Sequence, residues 1–271
     1  MNTQVITLEL HGAAPDVRIH PFLLDNSQEV DLERRRPLVL ICPGGGYAYR
    51  SFREAEPIAV RLLSLGMSAC VIDYAVAPAR FPAALMQVLA TIAYAREHAA
   101  AWHIDPDKII LMGFSAGGHL AASAGVFWPR PHYAAKLGLK PEQVQPNGLA
   151  LCYPVITAGP RAHEDSIKNL LGEEIDILRQ TVSLEKQVSS QTPPTFLFHT
   201  WDDEVVPVEN TLLFAASLKR HGVSAAPYIY PKGVHGISLS NVEVFGPEGF
   251  RAIREDCAQW IGHFDAWRKG L

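Results

Sequence analysis

Ser115 has a glycine two positions to either side, in Gly113-Phe114-Ser115-Ala116-Gly117. A serine hydroxyl becomes a useful nucleophile when a base takes its proton and a carboxylate orients that base. Candidates for both partners lie downstream. Asp202 or Asp203 could be the acid, in Thr200-Trp201-Asp202-Asp203-Glu204, and His235 the base, in Gly233-Val234-His235-Gly236. Upstream, Gly44-Gly45-Gly46 could turn backbone N–H groups toward one centre. These residue types suit acyl transfer: attack on a carbonyl carbon while backbone donors hold the oxyanion.

The pattern G-x-S-x-G arises by chance about once in ten chains of this size, so its surroundings decide. Ile109-Ile110-Leu111 reads as a short buried strand, and an Ala-rich helix starts at Ala116. A strand turning sharply into a helix needs residues without bulk around its tip, which is then held strained and exposed above the sheet. The helix start adds free N–H groups and a positive dipole end. The oxyanion donors expected are Ala116 N–H and the N–H of Gly45 or Gly46. Among eleven histidines, His119 falls one turn into that helix and His199 within a strand, where structural roles are expected. His235 sits between glycines on a loop, free to approach Ser115. The chain order Ser115, acid, His235 is that of a strand-end hydrolase site.

The elements that must position these residues follow from the apolar runs. Val5–Leu10 and Val17–Leu24 read as antiparallel strands. Pro37–Cys42, Ala69–Asp73, the Ile109 run, Leu149–Cys152, Thr195–His199 and Ala225–Tyr230 read as strands of a mostly parallel sheet of about eight. Helices are expected over 51–65, 83–100, 116 onward, 207–221 and 247–267. Ser51 and Glu54 have the spacing of a capping box. Asp105-Pro106-Asp107 reads as a turn, Arg34-Arg35-Arg36 as a solvated basic run, and 133–137 as a weak helical patch. The alternation implies an α/β fold, a parallel sheet with helices on both faces, in one domain over 1–271. The stretch from about 153 to 194 is too long for a simple crossover; it is expected to form a small partial cap with helical segments at 166–171 and 176–190.

Composition narrows the function classes. The 271 residues are 48% hydrophobic with a net charge of −4, which gives no sign of nucleic-acid or membrane partners. Cys42, Cys70, Cys152 and Cys257 are scattered and read as small buried hydrophobes rather than a disulfide or metal set. The opening residues lack a signal-peptide pattern, so a cytoplasmic setting is expected. No metal or organic cofactor is required, and the partner expected is a small-molecule ester. Nothing bears on oligomeric state.

In its motifs the chain resembles the acetyl esterase and acetylxylan-esterase-like group of α/β-hydrolase esterases, related to the hormone-sensitive-lipase type. The carrying segments are Cys42-Pro43-Gly44-Gly45-Gly46-Tyr47, Tyr74-Ala75-Val76-Ala77-Pro78, Gly113 to Leu120, Pro193 to Pro207 and Gly233-Val234-His235-Gly236. The resemblance implies Ser115 as nucleophile, Asp203 as acid and His235 as base. It also implies acetyl esters of sugars or xylo-oligosaccharides as substrates. Tyr47, Phe114 and Trp201 are expected to line a pocket for small acyl groups. One departure is Pro43, where the lipase-like pattern carries the histidine of H-G-G-G. Two alternatives stand beside this reading. One is an arylformamidase-type amidase, separable by comparing acetyl-sugar with formyl-anilide turnover. The other is a catalytically silent binding protein of the same fold, separable by fluorophosphonate labelling of Ser115.

Overall fold

Along Leu38–Cys42 every residue is buried, and alternate residues serve two different cores. Leu38, Leu40 and Cys42 face one, Val39 and Ile41 the other. Successive side chains of a strand point to opposite faces, so such a run needs cover on both sides. The computed structural model describes residues 3–271, apart from the side chains at 174, 175 and 250. Its strands are β1 (Ile6–Leu8), β2 (Val17–Phe22), β3 (Arg36–Cys42), β4 (Ser68–Asp73), β5 (Ile104–Phe114), β6 (Gly148–Cys152), β7 (Thr195–Thr200) and β8 (Ala225–Tyr230). They form one sheet in the order β1-β2-β4-β3-β5-β6-β7-β8. β2 pairs antiparallel with β1 and β4, and the remaining pairings are parallel.

Among the described residues the longer helices are α1 (Glu56–Ser64), α2 (Ala83–Glu97), α3 (Ala116–Phe127), α4 (Glu164–Leu171), α5 (Glu209–Arg220) and α6 (Trp260–Arg268). α2, α3 and α5 cover one face of the sheet through Leu89, Leu120 and Phe214. α1 and α6 cover the other through Ile58, Leu62, Trp260 and Phe264. Each fully buried side chain of this size contributes about 1.5–3 kcal/mol of transfer free energy. The parallel strands send their carboxyl ends to one edge, and the loops leaving β3, β5, β7 and β8 gather there.

Several sequence expectations are corrected. Residues 51–65 are not one helix. A 3-10 turn over Phe52–Glu54 is separated from α1 by Ala55, and the Ser51 side chain caps nothing. The expected helix over 247–267 is broken into a short turn, a four-residue helix at Glu255–Ala258 and α6. Asp105-Pro106-Asp107 belongs to β5, at an irregularity where the register with β3 shifts. Arg36 is buried rather than solvated, and its Nη1 donates to Asn26 Oδ1 at 2.5 Å. The 153–194 stretch holds α4, a four-residue helix at Ile175–Leu178 and a 3-10 turn at Leu184–Lys186.

Candidate active site

The turn from β5 into α3 puts Ser115 at its tip with φ 53° and ψ −119°. That positive φ is uncommon for a residue with a side chain, and the surroundings enforce it. A Cβ on Gly113 would overlap the carbonyl of Gly117, and one on Gly117 the carbonyls of Cys42 and Pro43. Glycine is thus required on both sides, because the strand, the helix start and the loop after β3 approach within backbone contact. Ser115 N–H donates to Cys152 O at 3.0 Å, which fixes the tip against β6.

Three loops then bring a hydroxyl, an imidazole and a carboxylate into one row. Ser115 Oγ lies 2.8 Å from His235 Nε2, and His235 Nδ1 lies 2.7 Å from Asp203 Oδ2. Asp203 is 7% exposed. Burial works to raise its pKa, but hydrogen bonds from His199 and His235, the attraction of His235 and the Val206 N–H outweigh it and hold the carboxyl well below the usual carboxylate range. Its Oδ1 accepts the N–H groups of Val205 and Val206, both at 2.9 Å. The acid stays ionised, so His235 Nδ1 carries the proton and Nε2 presents its lone pair to the hydroxyl.

Asp202, the other carboxylate considered, does a different job. Its Oδ1 accepts Gly233 N–H at 2.8 Å and its Oδ2 lies 3.3 Å from Lys232 Nζ. It holds the start of the loop that Asp203 holds at its end. His199 is fully buried behind Asp203, with Nε2 3.0 Å from Val206 O and 3.3 Å from Asp203 Oδ2. A nitrogen facing a carbonyl must donate, so Nδ1 accepts from Thr211 Oγ1 at 2.7 Å.

The loop after β3 carries two of the predicted oxyanion donors, Gly45 and Gly46, and the start of α3 carries the third, Ala116. Among the described residues, Gly45, Gly46 and Ala116 N–H have no protein acceptor. Gly45 (φ 124°) and Gly46 (φ 63°) both have positive φ, and a Cβ on Gly45 would overlap the Tyr49 carbonyl. Gly46 O accepts from Asn169 Nδ2 of α4 at 2.9 Å, which lays the 153–194 stretch over the loop. Unpaired N–H groups at a helix start and a glycine turn are what a developing oxyanion needs.

Two predicted pocket residues are corrected. Phe114 is fully buried, its ring against Tyr153 and Trp260. Strand alternation turns it to the face opposite the elbow helix, so it lines no substrate space. Tyr47 is 2% exposed, and its hydroxyl lies 2.9 Å from His119 Nδ1. His119 Nε2 lies 2.9 Å from Val182 O. That nitrogen therefore donates, and Nδ1 accepts the Tyr47 proton. Burial pushes His119 down to about 4, which keeps it neutral and its lone pair available. Tyr47 thus ties the glycine loop to α3 rather than meeting substrate. Trp201 alone of the three is exposed, beside Asp202.

Sequence reasoning missed Glu54. Its carboxylate is 3% exposed and accepts Gly44 N–H at 2.8 Å and Tyr153 O–H at 2.8 Å. The signal present was a carboxylate just beyond the glycine loop, which its spacing from Ser51 made look like a helix cap. No group of three or more His, Cys, Asp or Glu among the described residues is arranged to hold a metal ion. No helix among them is long and apolar enough to cross a membrane.

Comparison with known proteins shows the family and the fold. An acetyl ester-xyloside bifunctional hydrolase from Caldicellulosiruptor lactoaceticus is 37% identical, with a TM-score of 0.79 over 94% of this chain and 88% of that one. A carboxylesterase from Lactobacillus plantarum WCFS1 is 30% identical, with a TM-score of 0.89 over 100% and 98%. Endo-1,4-beta-xylanase B of Butyrivibrio fibrisolvens is 37% identical over 221 residues, 78% of this chain and 34% of the xylanase. The chain spans 34%, 44% and 55% of the length of three curated relatives that it matches, the xylanase, an acetylxylan esterase and an esterase. The BD-FAE family matches residues 24–218. With that match, and with a likeness in fold to solved carboxylesterase and α/β-hydrolase structures over nearly the whole chain, the chain belongs to the BD-FAE family and has the α/β-hydrolase fold.

Proposed function

We propose that this protein is a serine carboxylesterase that removes small acyl groups, acetyl foremost, from sugars or xylo-oligosaccharides. The observation that carries the reading is the row Ser115 Oγ, His235 Nε2, His235 Nδ1, Asp203 Oδ2, with spacings of 2.8 and 2.7 Å. Ser115 Oγ attacks the ester carbonyl carbon while His235 Nε2 takes its proton. The carbonyl oxygen, now anionic, is held by Ala116 N–H and by Gly45 or Gly46 N–H. Loss of one such donor typically costs about 10²- to 10³-fold in rate. Collapse breaks the bond to the alcohol oxygen, which leaves with the proton from His235. A water then gives its proton to His235 and attacks the acyl-serine, and Ser115 recovers its proton as the acid departs. Asp203 stays ionised throughout and stabilises the imidazolium.

The acetyl-sugar preference rests on similarity to proteins named for acetyl ester, xyloside and xylan hydrolysis, since Tyr47 and Phe114 offer no pocket wall. We read the chain as one domain, with residues 153–194 as a partial cap through the Asn169 contact. The four cysteines are buried and unpaired, which suits a reducing cytoplasm and short imported substrates. The test is turnover of p-nitrophenyl acetate, acetylated xylobiose and a formyl anilide by the wild type and by Ser115→Ala. Acetyl-ester turnover that disappears in a folded Ser115→Ala is expected. Retention of the rate in that variant refutes the mechanism, and a preference for the formyl anilide refutes the substrate class.

A further inference from the structure

A buried carboxylate is costly to keep, and Glu54 is buried against the row without belonging to it. Among the described residues it forms no salt bridge. Its carboxylate joins three segments that chain connectivity leaves far apart. Oε2 accepts Gly44 N–H of the glycine loop at 2.8 Å. Oε1 accepts the Tyr153 hydroxyl, at the tip of β6, at 2.8 Å. The Tyr153 oxygen in turn accepts Ser238 N–H, three residues past His235, at 3.0 Å. The ring of Tyr153 stands edge to face with the His235 imidazole, centroids 5.3 Å apart.

The packing leaves no slack around these bonds. A Cβ on Gly44 would lie 2.6 Å from Glu54 Oε2 and 3.0 Å from Ser115 Cβ, and one on Gly236 would lie 3.8 Å from Oε1. Ser238 is tied twice more, by Oγ to Arg53 O at 2.6 Å and by Trp260 Nε1 to its carbonyl at 2.9 Å. Both carboxylate oxygens thus face donors, the arrangement that suits the ionised form. Burial pushes the Glu54 pKa up, while the bonds from Tyr153 and Gly44 and the charges of His235 and Arg53 oppose that rise.

We propose that Glu54 is a positioning residue for the esterase reaction, whose carboxylate holds the glycine loop and the His235 loop in register. The proposal rests on the esterase reading. The charged and titratable groups around the imidazole are Asp203, Glu54, Tyr153, His163 and the Arg53 guanidinium near Gly236. Only Glu54 is changed by the substitution below. Asp203 keeps its place, so the base keeps its tautomer.

The experiment compares the wild type, Glu54→Gln and Glu54→Asp by melting temperature and by kcat and KM from pH 5 to 9 on p-nitrophenyl acetate. Glutamine keeps the shape but has one acceptor, so either Gly44 N–H or the Tyr153 proton loses its partner. The expected result for E54Q is a kcat lower by roughly 10- to 100-fold, the size of losing a hydrogen bond to a charged group, with KM within about threefold. E54D keeps two acceptor oxygens but not the reach, so its kcat also falls while KM stays within about threefold. A folded E54Q with kcat within twofold of wild type, or with KM raised as far as kcat falls, overturns the proposal. If E54Q does not fold, Tyr153→Phe carries the test. It keeps the Gly44 bond and breaks the link to Ser238, and an unchanged kcat in that variant overturns the proposal. Failure of the esterase reading is distinct: the wild type itself would then turn over no ester.

Discussion

At the residue scale, neighbouring aspartates hold different halves of one loop. Asp203 meets the imidazole, while Asp202 meets Gly233 N–H and Lys232. Asp203→Asn should lower kcat by roughly 10³- to 10⁴-fold, because an amide cannot fix the tautomer of His235. Asp202→Asn should cost only a few-fold, since an amide oxygen still accepts Gly233 N–H. Steady-state kinetics on one ester decides between them, and equal losses would contradict the geometry. The three members of the candidate row, Ser115, His235 and Asp203, could be picked out in the sequence because each sits on a glycine-bounded or post-strand loop. Tyr47 and Phe114 were misread because large side chains beside such loops look like pocket walls. Only the coordinates show that one points across the sheet and the other into a bond with His119. Glu54 escaped because its partners lie 10, 99 and, through Tyr153, 184 residues away, separations that no local pattern reports.

At the scale of elements, glycine has opposite meanings in two helices. Gly117, in the first turn of α3, has no room for a methyl group beside Cys42 and Pro43, whereas a Cβ on Gly262 of α6 meets nothing within 4 Å. Gly117→Ala should cost about 1–3 kcal/mol or more by overpacking. Gly262→Ala should gain about 0.5–1 kcal/mol by helix propensity. Thermal melts of the two variants should therefore move in opposite directions. Strand positions and order of types were readable because buried parallel strands are continuous apolar runs. Helix limits were less so. Ala55 interrupts the helix expected over 51–65, and the preceding turn aims Glu54 inward. That break answers to a tertiary partner rather than to local propensity.

At the scale of the whole molecule, buried titratable groups set how stability follows pH. His119 is held neutral, with its pKa lowered by burial from 6.5 to about 4. The unfolded chain binds that proton first, so this stability is complete above about pH 6.5 and is lost as pH falls toward 4. That lowering amounts to about 3 kcal/mol. Asp203 acts lower still: its depressed pKa contributes stability above the ordinary carboxylate range that is lost only in strong acid. Glu54 runs the other way, because its raised pKa makes folding less favourable as pH rises past the ordinary glutamate value. Urea denaturation from pH 7.5 to 4.5 should show stability falling toward acid, and His119→Gln should flatten that slope. A slope equal to that of the wild type would place the titration elsewhere.

Asn169 reaches from α4 to the carbonyl of Gly46, so a helix outside the sheet grips the loop that would polarise the substrate. Chimeras that exchange residues 153–194, the proposed partial cap, between homologues would therefore transplant more than a cover. They would also change how firmly the proposed oxyanion loop is held, and a graft without an amide at this position would leave the Gly46 carbonyl without that bond.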